Sequence, residues 1–332
     1  MKPFLHKFVG KHILLLLVSF TILSNSYSQA FLFGGEKVKW EIGLNFGPSF
    51  FLGDLGGNSG KGTNNLKDMN FEFTKMMKGA FITMYPKNWI GVRLAADITY
   101  LEGSDDIITT TGIDELWRKQ RNLDFKTTVV EGYLAIEIFP TVFFNRNSDF
   151  EPKLRPYGLA GIGVFHFNPK GSITNTAGDK SWHALQPLSI EGQGMAEYPN
   201  SKPYKLTQLN IPLGVGLKYY ASDRVNLSTE FLYRKTFTDY IDDVSRNYID
   251  PNNYNKYLSA ADAALAYKLS DKSIGIIYPG MTRYPADTQR GDPKDGDTYF
   301  SLVLKLGIRL GPIYESSFAR RAAKQLRCPT VY

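Results

Sequence analysis

The chain has 332 residues, 43% hydrophobic and 14% aromatic, with 30 Gly, one Cys and a formal charge of +7. The lone Cys328 excludes an internal disulfide framework, and basic residues scattered along the chain argue against nucleic acid as a partner. Abundant Gly, Tyr and Phe with a slightly negative mean hydropathy suit alternating strands and large polar loops better than a packed α/β core.

The N-terminus carries Lys2, His6, Lys7 and Lys11, then an apolar run over 13–23, then Ser24-Asn-Ser-Tyr-Ser28. That order is expected of a secretory signal peptide over 1–28, cut ahead of Gln29, and hence of an exported chain. Loss of Lys2, Lys7 and Lys11 with it takes the formal charge from +7 to +4. The apolar run is well short of the roughly 20 residues a spanning helix needs, and no later stretch qualifies. No Cys stands near the cut, so a lipid-modified N-terminal cysteine is not expected.

Eight segments read as strands of the length a tilted barrel strand requires. The first, 38–50, sets Trp40, Ile42, Leu44 and Phe46 against Glu41, Gly43, Asn45 and Gly47, because strand side chains alternate. The second, 71–85, alternates poorly around Lys75-Met-Met-Lys78. The third, 89–101, sets Val92, Leu94, Ala96, Ile98 and Tyr100 against Arg93, Ala95, Asp97 and Thr99; the fourth, 125–139, sets Val130, Leu134, Ile136 and Ile138 against Glu131, Tyr133, Ala135 and Glu137. The fifth, 155–167, is Gly-rich and ambiguous in facing. The sixth, 205–220, alternates cleanly but contains Pro212, which lacks a ladder donor, so a bulge is expected there. The seventh, 224–238, turns Val225, Leu227, Phe231 and Tyr233 one way and Asn226, Ser228, Glu230 and Arg234 the other. The eighth, 298–310, has the strongest pattern: Phe300, Leu302, Leu304, Leu306, Ile308 and Leu310 against Tyr299, Ser301, Val303, Lys305, Gly307 and Arg309.

The connections alternate in length. Pro86-Lys-Asn88 and Ala221-Ser-Asp223 are turns, and 140–154 is intermediate; 51–70, 102–124, 168–204 and 239–297 are long. Outer-membrane barrels have short periplasmic turns and long external loops, and with an even strand count both termini fall on the short-turn side. The fold expected is all-β: an eight-stranded antiparallel transmembrane β-barrel over 29–310 with long extracellular loops, followed by a basic periplasmic C-terminal tail over 311–332.

The inward faces collect Glu41, Asp97, Glu131, Glu137 and Glu230 against Arg93, Lys218, Arg234, Lys305 and Arg309. The signs balance, and a barrel of eight strands is only wide enough for side chains to fill it, so an ion-paired plug is expected rather than a channel. The mature chain holds two His, His166 and His183, with no nucleophile motif beside either, so no enzyme activity, cofactor or metal is expected. Asp239, Asp242, Asp243, Asp250, Asp292, Asp295 and Asp297 crowd the last long loop at spacings unlike a calcium-binding EF-hand, and read as a solvated loop tied by Asp turns. Arg290-Gly-Asp292 likewise reads as turn punctuation. Within that loop 257–268 is rich in helix formers, with Ser259 able to cap a short helix over the barrel mouth.

In the tail, Arg320, Arg321, Lys324 and Arg327 outnumber Glu315, and Cys328 follows. These are candidate partner contacts, and an unpaired cysteine in an exported chain opens an intermolecular disulfide. Four stretches carry a family likeness: Gly47-Pro-Ser-Phe-Phe-Leu-Gly-Asp-Leu55, Thr238-Asp-Tyr-Ile-Asp-Asp-Val-Ser-Arg-Asn-Tyr248, Arg290-Gly-Asp-Pro-Lys-Asp-Gly-Asp297 and Arg327-Cys-Pro329. With them the chain resembles the PorG-like outer-membrane barrels of Bacteroidota associated with type IX secretion. The resemblance implies a non-enzymatic component that contacts a periplasmic ring of a lipoprotein and its partner, with the basic tail as the contact element. The competing expectation is an OmpA-like structural, adhesion or ligand-binding barrel acting through its external loops.

Overall fold

A computed structural model describes residues 38–55, 73–108, 112–141, 152–277, 279–280 and 283–310. The signal-peptide segment and the tail with Arg320, Arg321, Lys324, Arg327 and Cys328 lie outside the described residues. Eight long strands, β1 (Lys39–Leu52), β2 (Lys75–Lys87), β3 (Ile90–Ser104), β4 (Asp124–Ile138), β5 (Leu154–His166), β8 (Thr207–Tyr220), β9 (Val225–Thr236) and β10 (Thr298–Leu310), pair antiparallel in that order. The ladder between β1 and β10, from Trp40 opposite Leu310 to Leu52 opposite Thr298, closes the barrel and leaves it no free edge.

The period-2 alternation of the sequence becomes an inside and an outside. On β10 Leu302, Leu304, Leu306, Ile308 and Leu310 are exposed while Ser301, Val303 and Lys305 are buried. On β1 Trp40, Ile42, Leu44 and Phe46 are exposed while Glu41 and Asn45 are buried. Apolar groups outside and ionised groups inside invert the soluble arrangement and give the cross-section of a membrane-spanning barrel. No helix among the described residues is long and apolar enough to cross a membrane.

Three local expectations need correction. β2 alternates regularly after all: Met77, Phe81, Thr83 and Tyr85 point inward, and Lys78 points outward with its ammonium 6.0 Å from the Tyr100 ring centroid. Pro212 makes no bulge. The β8–β9 register runs unbroken past Pro212 opposite Arg234, and β5–β8 keeps one register from Ala160 opposite Leu213 to Gly163 opposite Asn210. The two intervening β5–β8 pairs are missing, which accommodates the absent N–H without an extra residue. β5 resolves with Arg155, Tyr157, Leu159 and Phe165 inward, the Tyr157 ring lying in the space that Gly216 of β8 leaves.

The long connections hold a helix and a hairpin that the sequence does not announce, and the helix expected behind Ser259. Helix α1 (Ile113–Arg121) ends at Asn122, whose left-handed backbone lets its N–H bond the Arg118 carbonyl at 3.2 Å. A hairpin, β6 (Lys170–Thr174) and β7 (Lys180–Ala184), turns on Asn175, whose side chain accepts from the N–H groups of Ala177 and Asp179. Helix α2 (Ala260–Ser270) is capped by Ser259, which accepts from the Asp262 N–H. It packs Ala263, Ala266 and Leu269 against Leu185, Leu188, Ile190 and Met195 of the preceding long connection.

Candidate functional site

The lumen holds two stacked ionic layers. In the layer nearer the short connections, Lys218 Nζ donates to Glu41 Oε1 at 3.0 Å and also bonds the Tyr85 hydroxyl, which in turn donates to Glu137 at 3.2 Å. Arg93 bridges onward: Nε donates to Glu137 at 2.6 Å and Nη1 to Glu230 at 3.0 Å. Glu230 also accepts from the Tyr157 hydroxyl at 2.5 Å and from Lys305 at 3.3 Å. The second layer centres on Arg234, whose Nε donates to Glu131 at 3.2 Å and Nη2 to Asp97 at 3.4 Å. Asn210 and Asn45 complete it on Glu131 and Asp97. All nine charged groups named in these two layers are 2% exposed or less.

Arg309, the tenth lumen candidate, sits lower, half-buried at the rim. It is register partner to Glu41 and lies 3.9 Å above the Tyr220 ring, which Arg155 approaches at 4.8 Å. The sequence reading missed Arg155 because the glycines of β5 hid its facing, and missed Tyr85 and Tyr157 because it sought charge alone. Between and beyond the layers lie apolar plugs. Met77, Phe81, Leu159, Leu232 and Val303 pack in the middle of the barrel, and Phe51, Phe125, Phe165, Phe167 and Tyr299 pack at its loop end. The side chains fill the barrel as an eight-stranded interior requires.

Above the apolar plug, the long connections meet in a third polar cluster. Arg121 at the end of α1 donates to both oxygens of Asp105, at 2.7 and 3.0 Å, and to the carbonyls of Arg290 and Asp54, each at 2.6 Å. Arg290 donates to Glu191 at 2.8 Å and to the Asp243 carbonyl at 2.5 Å. At 3% exposure the Arg290 side chain serves this cluster and not the surface. The expected solvated acidic loop is also corrected: Asp242, Asp243 and Asp297 are fully buried, serving as acceptors for backbone N–H groups or a Tyr hydroxyl. Burial lifts the carboxyl of Asp243 to about 7 against the pull of Arg290, and that of Asp54 to about 7 against Arg121.

The three internal stretches that carried the family likeness come together here. The Leu55 N–H donates to Asp242 at 3.1 Å, the Asp292 N–H to Asp54 at 2.7 Å, and the Ile241 N–H to Asp297 at 2.7 Å. Among the described residues no His, Cys, Asp and Glu groups gather as metal ligands. His166 faces outward, bonded to Thr207, and His183 lies on the hairpin beside Ser181, so the two share no site.

No family model matches the chain, and no curated protein matches it. Solved barrels do. The chain is similar to a major outer membrane protein from Thermus thermophilus at 12% identity, over 83% of this chain and 100% of that one, with a TM-score of 0.38. It is similar to Ail, the attachment invasion locus protein of Yersinia pestis, at 10% identity, over 83% and 100%, with a TM-score of 0.33. It is similar to the outer membrane protease OmpT from Escherichia coli at 11% identity, over 83% and 97%, with a TM-score of 0.32. Likeness this distant leaves activity undecided, since one fold hosts many functions; the barrel assignment rests on the closed ladder.

Proposed function

We propose that this chain is a non-enzymatic outer-membrane component of protein secretion, of the type IX kind, anchoring or organising a periplasmic ring through its basic tail. The observation that supports this reading is the convergence of Gly47–Leu55, Thr238–Tyr248 and Arg290–Asp297 on one buried cluster at the barrel mouth. The stretches that resemble the PorG-like barrels pack as a single structural unit. A lumen filled by ionic and aromatic layers also turns attention from transport through the barrel to its two faces. In this reading both termini are periplasmic, and Arg320, Arg321, Lys324 and Arg327 meet an acidic surface of the ring lipoprotein or its partner while Cys328 forms an intermolecular disulfide.

The test is removal of residues 312–332 in the exporting organism, with secretion and ring co-purification as readouts. Loss of both, with the barrel still in the outer membrane, is expected; retention of both sinks the proposal. Non-reducing gels of native membranes check the disulfide, which requires a Cys328-dependent shift in mass.

A second reading, adhesion through the external loops, draws on exposed apolar groups there. Ile113, Trp117, Ile274 and Ile276 stand out on the loop body, with Ile274 and Ile276 held against α1 by Gln120. Loop substitutions that abolish the phenotype while the tail deletion does not would favour it.

A further inference from the structure

Four carboxylates from opposite ends of the chain meet over the barrel mouth: Asp54 after β1, Asp239 and Asp242 after β9, and Asp297 before β10. Asp242 and Asp297 are fully buried, and Asp54 is 8% exposed. Backbone N–H groups hold some of their oxygens: Leu55 and Val244 donate to Asp242, Asp292 to Asp54 and Ile241 to Asp297. Others are stranded. Asp297 Oδ1 is buried and receives no hydrogen bond, and the buried oxygens of Asp239 have the Ser245 hydroxyl beside them. Asp297 Oδ1 sits where a Cβ on Gly53 would fall, so its side chain presses into the first loop beside Asp54.

The surrounding charges make matters worse. Glu191 and Asp292 add negative potential at Asp54, and Glu191 does so at Asp239. The cation facing Asp54 and Asp242 is Arg121, whose guanidinium is committed to Asp105 and two backbone carbonyls. Arg290, in the same loop cluster, is committed to Glu191 and the Asp243 carbonyl. Among the described residues the uncommitted cations and donors are too few for all four buried carboxylates to stay ionised. Proton uptake is the neutralisation that the carboxyl groups themselves can provide.

We infer that Asp54, Asp239, Asp242 and Asp297 form a protonated carboxyl latch that joins the first loop to the last across the barrel mouth and releases when its protons leave. The sign follows from linkage. Burial, reinforced by the neighbouring aspartates, lifts Asp54 to about 7 and Asp239, despite the nearby Ser245 hydroxyl, to about 9; it raises Asp242 and Asp297 well above the usual range. The closed form therefore holds protons that the open form gives up. Closure is fully favoured below the ordinary carboxylate range of about 4 and is lost progressively as pH rises from there through about 7 to 9, with the opening constant growing about tenfold per pH unit for each proton released.

Hydrogen exchange of the full mature protein in phospholipid vesicles tests this, with rates corrected for the intrinsic pH dependence of exchange. Protection of 53–55, 239–245 and 291–297 is expected to fall by about tenfold per pH unit or more as pH rises from about 5 to about 9, while the barrel strands stay protected. Asp239→Asn and Asp297→Asn, which keep the shape and remove the titration, are expected to flatten that slope. The wild-type profile decides alone if either variant fails the gel shift of a folded barrel. Protection that stays level across this range overturns the proposal. So does a slope unchanged in both folded variants, or protection at high pH that millimolar calcium restores and a chelator removes.

Discussion

Glu230 is the carboxylate on which the lower ionic layer depends. It is 2% exposed, pairs with both terminal nitrogens of Arg93 at 3.0 and 2.8 Å, accepts from Tyr157 at 2.5 Å and meets Lys305 at 3.3 Å. Glu230→Leu leaves Arg93 its bond to Glu137 but takes from Lys305 the carboxylate it pairs with. Removing one partner of a buried pair costs about 3 to 5 kcal/mol, because the other charge stays buried. Adding Lys305→Met removes the stranded ammonium, so the double variant is expected to recover about 1 to 3 kcal/mol of that loss. Urea titration of the barrel refolded in phospholipid vesicles, followed by tryptophan fluorescence and by the gel shift between folded and unfolded barrel, measures both values. A single-variant loss below about 1 kcal/mol, or strictly additive effects, refutes the reasoning that these groups are desolvated and coupled.

Three other outcomes are expected. Leu44→Arg places a charge on the most exposed position of β1, where Leu44 is 65% exposed; it should lower folding stability in vesicles by about 2 to 4 kcal/mol, whereas a water-facing leucine would tolerate it. The intact wild-type barrel should show no steady ion conductance in planar bilayers, since both ionic layers and both apolar plugs lie across the lumen, and well-resolved stepwise openings would contradict that. Arg121→Met should loosen α1, the first loop and the last loop together, because Asp105 and the carbonyls of Asp54 and Arg290 each lose a donor. Proteolysis confined to one of those segments would show that they do not act as a unit.

Period-2 patterning made the barrel legible. In β10 every second residue from Phe300 to Leu310 is apolar, and the inward partners Ser301, Lys305 and Arg309 are polar or charged, so strand, facing and the acid–base balance of the lumen could be read directly. β2 was harder, because Met77 goes inward and Lys78 outward, each against the polarity rule, where packing with Phe81 and contact with Tyr100 decide the matter. The loop cluster was not legible. Its bonds join Leu55 to Asp242 across 187 residues and Asp292 to Asp54 across 238, and no local pattern encodes separations of that size. The aspartates of the last loop therefore looked like solvated turn residues, though Gly291 and Gly53, where a side chain would strike Asp54 and Asp297, were the cue to close packing.

By itself the sequence determined the eight barrel strands and their closing order, because alternation is a local property of an extended chain and neighbouring strands pair in chain order. The tertiary structure alone decided which acid meets which base, that Arg309 stays at the rim over Tyr220, and that distant aspartates are driven together without enough cations. Those outcomes depend on strand stagger and on long connections folding onto the mouth, and both are set by contacts between residues that lie far apart in the chain.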